Sequence, residues 1–148
     1  MRVHRQLKIE APPAAVWRCL VEPELQKQWI TQLVDETPDD ASAIGVGATS
    51  TMRLREGDQV VTYRSKVTAW EPERHLSIQL TGGTFAEDMA MDVRYDLVPD
   101  AAGTTLDYDV VVPMKGFAFK VLTPLLWLVA STNSIKDLAR LSVVAETA

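Results

Sequence analysis

The sequence holds a single cysteine, Cys19, and only two histidines, His4 and His75, among its 148 residues. One cysteine excludes an intrachain disulfide and any cysteine-based zinc cluster, and it suits a reducing compartment. His4 sits at a strand start and His75 in the turn Glu71-Pro72-Glu73-Arg74-His75. A histidine triad or a zinc centre would need distant surface positions to converge, so both are set aside, and no metal or other cofactor is expected. There is no G-x-S-x-G elbow, phosphate loop or dinucleotide fingerprint; Gly45-Val46-Gly47 lacks both a third glycine and a following helix. Cations are not in surplus either. Fifteen Lys and Arg against twenty Asp and Glu leave a net charge of −5, which argues against a nucleic-acid partner. No apolar run is long enough for stable membrane insertion: Phe117 to Ala130 is broken by Lys120 and Pro124 and falls short of the ~20 residues a span needs. The charged start, Met1-Arg2-Val3-His4-Arg5, lacks the apolar run of a signal peptide, so the expected location is the cytoplasm.

What remains is a chain of one-domain length, 47% hydrophobic and 24% charged, the composition of a soluble globular protein. A chain of this size hides roughly 68–70% of its unfolded surface, enough for a full core and an internal cavity. Val3 to Glu10 alternates as an opening strand, with Arg5 the one break on its apolar face. Pro12-Pro13 stops it. Val16 and Leu20 then mark a short helix over 13–21, and Leu25 and Trp29 a second one starting at Pro23. From Asp35 to Val112 the period is two, with turn residues at Gly45 and Gly47, Gly57-Asp58, Glu71-Pro72-Glu73, Gly82-Gly83 and Pro99 to Gly103, predicting an antiparallel meander. After Pro113, Phe117, Val121, Leu125, Leu128, Ile135, Leu138 and Leu141 follow helical steps, predicting a long last helix kinked at Pro124. The order is α+β, and residues 1–148 read as a single domain.

Strand parity assigns the inner face. Met52 and Leu54 bring Ser50 inward; Val61 and Val67 bring Tyr63 and Ser65; Met89, Met91, Val93 and Leu97 bring Tyr95, with Glu87 of the same parity; Leu106, Val110 and Val112 bring Tyr108. All three tyrosines thus share the inner side. Each could reach the sheet rim and bond to water, but together with two serines they point to an interior with polar spots. Met52, Met89 and Met91 suit an irregular ligand and equally suit a core gap. The outer face interleaves Arg53, Arg55, Arg64, Lys66 and Arg94 with Asp92, Asp96, Asp107 and Asp109, a solvated face of cross-strand pairs and not a metal site. Cys19 reads as a buried structural thiol. The weak catalytic candidates are Tyr63 and Glu87, the latter just after Gly82-Gly83-Thr84-Phe85 and more simply read as a rim residue.

Several segments together are familiar. Ile9-Glu10-Ala11-Pro12-Pro13-Ala14-Ala15-Val16-Trp17, then Pro23-Glu24 and Trp29, resembles the opening of the START-like (SRPBCC) helix-grip superfamily, in particular its polyketide cyclase/dehydrase group. Trp70-Glu71-Pro72 with Arg74-His75-Leu76, Tyr95 to Pro99 with Gly103 to Leu106, and Lys136 to Leu141 resemble its later strands and last helix. The resemblance implies a curved antiparallel sheet wrapped round a long C-terminal helix, enclosing a cavity for a lipid, steroid, polyketide or other apolar molecule. It carries no invariant catalytic motif, and fold alone does not settle function. Three readings follow. The first is a carrier or sensor whose small hydrophobic ligand is lined by Ser50, Met52, Tyr63, Ser65, Met89, Met91, Tyr95, Tyr108, Val121, Leu125 and Leu128. The second is a cyclase or dehydratase in which a tyrosine stabilises an enolate and Glu87 or water moves the proton. The third is an interaction module, with Leu126 and Trp127 on an apolar helix facing a second subunit in a homodimer, or a membrane surface.

Overall fold

The computed structural model describes residues 2–83, 90–112 and 135–147. Its elements are β1 (Arg2–Ile9), α1 (Pro13–Val21), α2 (Pro23–Trp29), β2 (Leu33–Pro38), β3 (Thr49–Glu56), β4 (Gln59–Glu71), β5 (His75–Gly82), β6 (Met91–Pro99) and β7 (Thr104–Val111). A helical segment over 135–147 follows. The seven strands form one antiparallel sheet in the order β1-β7-β6-β5-β4-β3-β2. From β2 to β7 every strand pairs with its sequence neighbour, and β1 closes on β7. This is the expected α+β meander. No helix among the described residues is long and apolar enough to cross a membrane.

The two short helices meet at a corner that the sequence specifies. Pro13 and Pro23 each sit in a first helical turn, where a missing N–H costs nothing and φ is already helical. Pro23 has a further effect. It cannot supply the N–H that would normally bond the Cys19 carbonyl four residues back, and the indole Nε1 of Trp29 donates to that oxygen instead, at 2.7 Å and buried. Gln26 Nε2 likewise donates to the Leu20 carbonyl at 2.6 Å. The paired helices bury Val16, Trp17, Cys19, Leu20 and Trp29 against the sheet.

The junction from β1 into α1 is clamped to the β6–β7 turn. Thr104, fully buried, donates its hydroxyl to the Ala11 carbonyl at 2.8 Å. Gly103 beside it, at φ +151°, is packed so closely that a Cβ there would stand 2.5 Å from the Ile9 carbonyl oxygen and 2.6 Å from the Ala11 nitrogen. Only glycine fits.

Over 135–147, Leu138, Leu141 and Ala145 are buried in the main core with Ile9, Val16 and Leu106. Ile135 departs from the expected stripe and is 56% exposed. At about 100° per residue it lies roughly a quarter turn round the helix from the line shared by Leu138, Leu141 and Ala145. Arg140 ties the helix to α2, donating to the Gln28 carbonyl at 2.9 and 3.1 Å. The expected helical stretch over 117–134, with its Pro124 kink, lies outside the described residues.

Charges line the outer face as expected, but two of the arginine pairs draw on acids not counted on that face. Arg53 pairs with Asp35 and Arg64 with Asp39, both from the β2 side, while Asp109 holds Arg2 at 2.9 Å. All of these pairs are substantially exposed and contribute little stability each.

Candidate functional site

Between the inner face of the sheet, the α1–α2 corner and the helix over 135–147 lies a cavity of about 420 Å³. That is the size range of small-molecule sites. The parity reading places most of its wall. Ser50 and Met52 from β3, Ser65 from β4, Met91 and Tyr95 from β6 and Tyr108 from β7 all line it. Tyr63 is buried on the same side but is not among the lining residues. Its hydroxyl donates to Glu56 Oε1 at 2.6 Å, and its ring packs against Gly83 so tightly that a Cβ there would meet it at 2.3 Å. Met89, Val121, Leu125, Leu128 and Glu87, as well as Leu126 and Trp127, lie outside the described residues. Ile44, 76% exposed and yet part of the lining, marks the mouth.

Aromatic rings shape the interior. Tyr95 and Tyr108 stand 5.4 Å apart, and Trp29 meets Tyr95 edge to face at 6.4 Å. Trp70, which lines the cavity, meets Trp17 edge to face at 5.0 Å. Such contacts hold aromatic walls in fixed orientations. Burial pushes both phenols well above the usual tyrosine range, with the carboxylates of Asp137 and, for Tyr95, Glu36 acting in the same sense. At neutral pH both are therefore protonated and able to donate.

Two acidic residues that strand parity did not single out face this cavity. Glu36 arrives through a β-bulge. Leu33 opposes Leu54 and Asp35 opposes Arg53, with the register shifting between them, so that Glu36 falls opposite inward Met52. Leu33 and Glu36, three residues apart and of opposite parity, thus share the inner face. Ser50 Oγ donates to Glu36 Oε1 at 2.7 Å, whereas Oε2 is buried without a hydrogen-bond partner. Burial raises the Glu36 pKa, while Ser50 and the nearby Gln26 amide pull the other way. Gln26 Oε1, in the same wall, is also buried without a partner. Asp137 comes from the helix over 135–147 and accepts from the Thr31 amide at 3.1 Å and the Thr31 hydroxyl at 2.8 Å. Among the described residues that line the cavity there is no Lys, Arg or His.

The histidine triad stays set aside, but not because distant positions would have to converge. His75 Nδ1 lies 2.6 Å from Asp96 Oδ1, and Ser77 Oγ lies 2.7 Å from His75 Nε2. No distant positions had to converge: His75 and Ser77 are two apart on β5, and Asp96 faces His75 across the β5–β6 ladder. Their side chains are on the outer face, opposite to that of Leu76. Ser77 sits within a central strand paired on both sides, so backbone N–H groups that would form an oxyanion hole serve the ladders instead. The cluster reads as a surface network. Cys19 is buried, and burial raises its thiol pKa, which leaves it unreactive. No group of metal-binding side chains occurs among the described residues.

A seven-stranded antiparallel sheet, two short helices after the first strand, and a last helix packed on an inner face with a cavity define an α+β helix-grip protein. The profile of the family described as polyketide cyclase / dehydrase and lipid transport matches residues 1–142, and the chain belongs to that family. Solved structures agree on the fold. TTHA0849 from Thermus thermophilus is similar at 17% identity and a TM-score of 0.78, covering 99% of this chain and 98% of that one. The ZhuI aromatase/cyclase of Streptomyces sp. R1128 is similar at 16% identity and a TM-score of 0.76, covering 99% and 93%. SA2116 from Staphylococcus aureus, a protein of unknown function, reaches a TM-score of 0.80 at 11% identity, covering 99% and 94%. No curated protein matches this sequence.

Proposed function

We propose that this protein binds a small, largely apolar molecule inside the cavity, as a carrier or sensor. The observation that supports this is the cavity itself: about 420 Å³ bounded by Met52, Leu80, Met91 and Val93 and by the Trp29, Trp70 and Tyr95 rings. Apolar walls favour transfer of an apolar body out of water, at about 25 cal/mol for each Å² buried. Ser50, Ser65, Tyr95 and Tyr108 serve orientation. Native mass spectrometry of gently purified protein, followed by extraction, tests the reading: a discrete apolar adduct is expected. A bare mass, with no adduct on adding decanol, would refute it.

A second reading is favoured by one observation. Glu36, with its pKa raised, shares the cavity with the protonated Tyr95 and Tyr108, an arrangement suited to moving a proton next to a carbonyl whose developing oxyanion a phenol stabilises. In that case the protein is a cyclase or dehydratase and Glu36 takes the role first considered for Glu87. Turnover of a polyketide-like substrate that is lost in Glu36→Gln supports it, and undiminished turnover in that variant removes Glu36 as the base.

A further inference from the structure

The cavity's polar end is one-sided in its chemistry. Glu36 Oε2 and Gln26 Oε1 are both buried, both acceptors, and both without a hydrogen-bond partner. Ser50 is already committed as a donor to Glu36 Oε1. One amide hydrogen of Gln26 goes to the Leu20 carbonyl, and its oxygen has no partner. Asp137 adds a second carboxylate to the same wall, and no described lining residue carries positive charge. Buried polar groups are ordinarily paired, and two unpartnered acceptors on residues lining one cavity mark where something else supplies the protons.

We propose that the molecule bound here carries a hydrogen-bond donor at its polar end, a hydroxyl or a protonated amine, seated against Glu36 and Gln26, and that an anionic carboxylate at that end is rejected. This rests on the cavity being a binding site. A hydroxyl satisfies one acceptor by donating, and an ammonium has protons enough for both. A carboxylate donates nothing, leaves both acceptors without a partner and brings a charge into a poorly solvated interior. A site left with unpaired acceptors discriminates by roughly ten- to hundredfold. The alcohol end of a lipid and an amine therefore fit this pole, whereas an ionised fatty acid does not.

A matched series separates the cases: 1-decanol, decylamine and decanoate at pH 7.5, each displacing Nile red from the full-length protein. Decanol or decylamine is expected to displace the dye at least tenfold more effectively than decanoate. In Glu36→Met that preference shrinks about tenfold, and in Gln26→Met it shrinks in the same direction should the first variant fold poorly. Preference for decylamine over decanol that disappears in Glu36→Gln assigns a cationic head; equal displacement by the two assigns a hydroxyl. Equal or better displacement by decanoate overturns the head-group proposal while leaving the binding reading intact. Failure of Nile red and of all three compounds to bind overturns the binding reading, and this proposal with it.

Discussion

Glu36→Gln isolates the energetic cost of the cavity's polar end. The substitution preserves side-chain size and keeps an acceptor for the Ser50 hydroxyl, but it removes the charge and turns the unpartnered Oε2 into an NH₂ near the Gln26 amide, whose own oxygen is unpartnered. A buried acceptor without a partner costs about 1–3 kcal/mol. Relieving Glu36 Oε2 and Gln26 Oε1 together, with imperfect geometry, is expected to stabilise the ligand-free protein by about 1–2 kcal/mol at pH 7.5. At this chain length each kcal/mol corresponds to about 2–4 °C in Tm.

The pH dependence supplies the sign. Burial raises the Glu36 pKa in the folded protein above its unfolded value of about 4.3. Below that unfolded value the residue is protonated in both states and carries no penalty. As pH rises, the unfolded chain ionises first, and the folded state loses stability until pH passes the raised folded pKa. The advantage of Glu36→Gln should therefore be small near pH 4, grow upward from there and level off. Urea unfolding followed by tryptophan fluorescence at pH 4 and pH 7.5 measures it. A variant less stable than wild type at pH 7.5, or an advantage equal at both values, would refute the assignment of Glu36 as a desolvated carboxylate.

Other perturbations test the frame around the site. Gly103→Ala drives a Cβ to within 2.7 Å of three backbone atoms of Ile9 and Ala11 and should cost about 3 kcal/mol or more in thermal or urea unfolding, whereas Gly47→Ala, with nothing within 4 Å, should cost only its φ strain. Trp29→Phe leaves the Cys19 carbonyl without a donor, because Pro23 cannot take over, and should lower unfolding stability by about 1–3 kcal/mol. Asp39 is held down to about 2 by Arg64 and Thr49, so its contribution is present above its unfolded value and is lost as pH falls through about 2. Asp39→Asn should flatten the acid limb of the stability curve between about pH 4 and pH 2, and an unchanged limb would remove Asp39 from the acid response.

The elements were legible because the punctuation is local: prolines at two helix starts, and Gly or Pro in each turn of the meander. Parity along β3, β6 and β7 also carried through, since Ser50, Met52, Val93, Tyr95, Leu97 and Leu106 are all buried. Parity misleads wherever a bulge intervenes. On β4 the register shifts between Val67 and Ala69, which brings Trp70 to the side of Leu76 and Val67. On β2 the shift between Leu33 and Asp35 does the same for Glu36. Within Asp35-Glu36-Thr37 no apolar residue marks a face, so alternation had nothing to count. Ser77, His75 and Asp96 escaped for a different reason: a cross-strand neighbour is invisible until the strand register is known.

That failure is itself informative about function. Strand pattern records burial of apolar groups, which is what folding requires, and a residue that breaks the pattern while costing stability is unexplained by folding. Tyr63 also fits the inward pattern, yet its hydroxyl is paired to Glu56, so its place is accounted for by structure. Glu36 is turned inward by an extra residue in its strand, then desolvated and left with one oxygen unpaired. A carboxylate held in that position at a cost fits the proposed site, whose other half would arrive with the ligand, and on that reading the ligand's head group, more than its apolar body, is where specificity is to be sought.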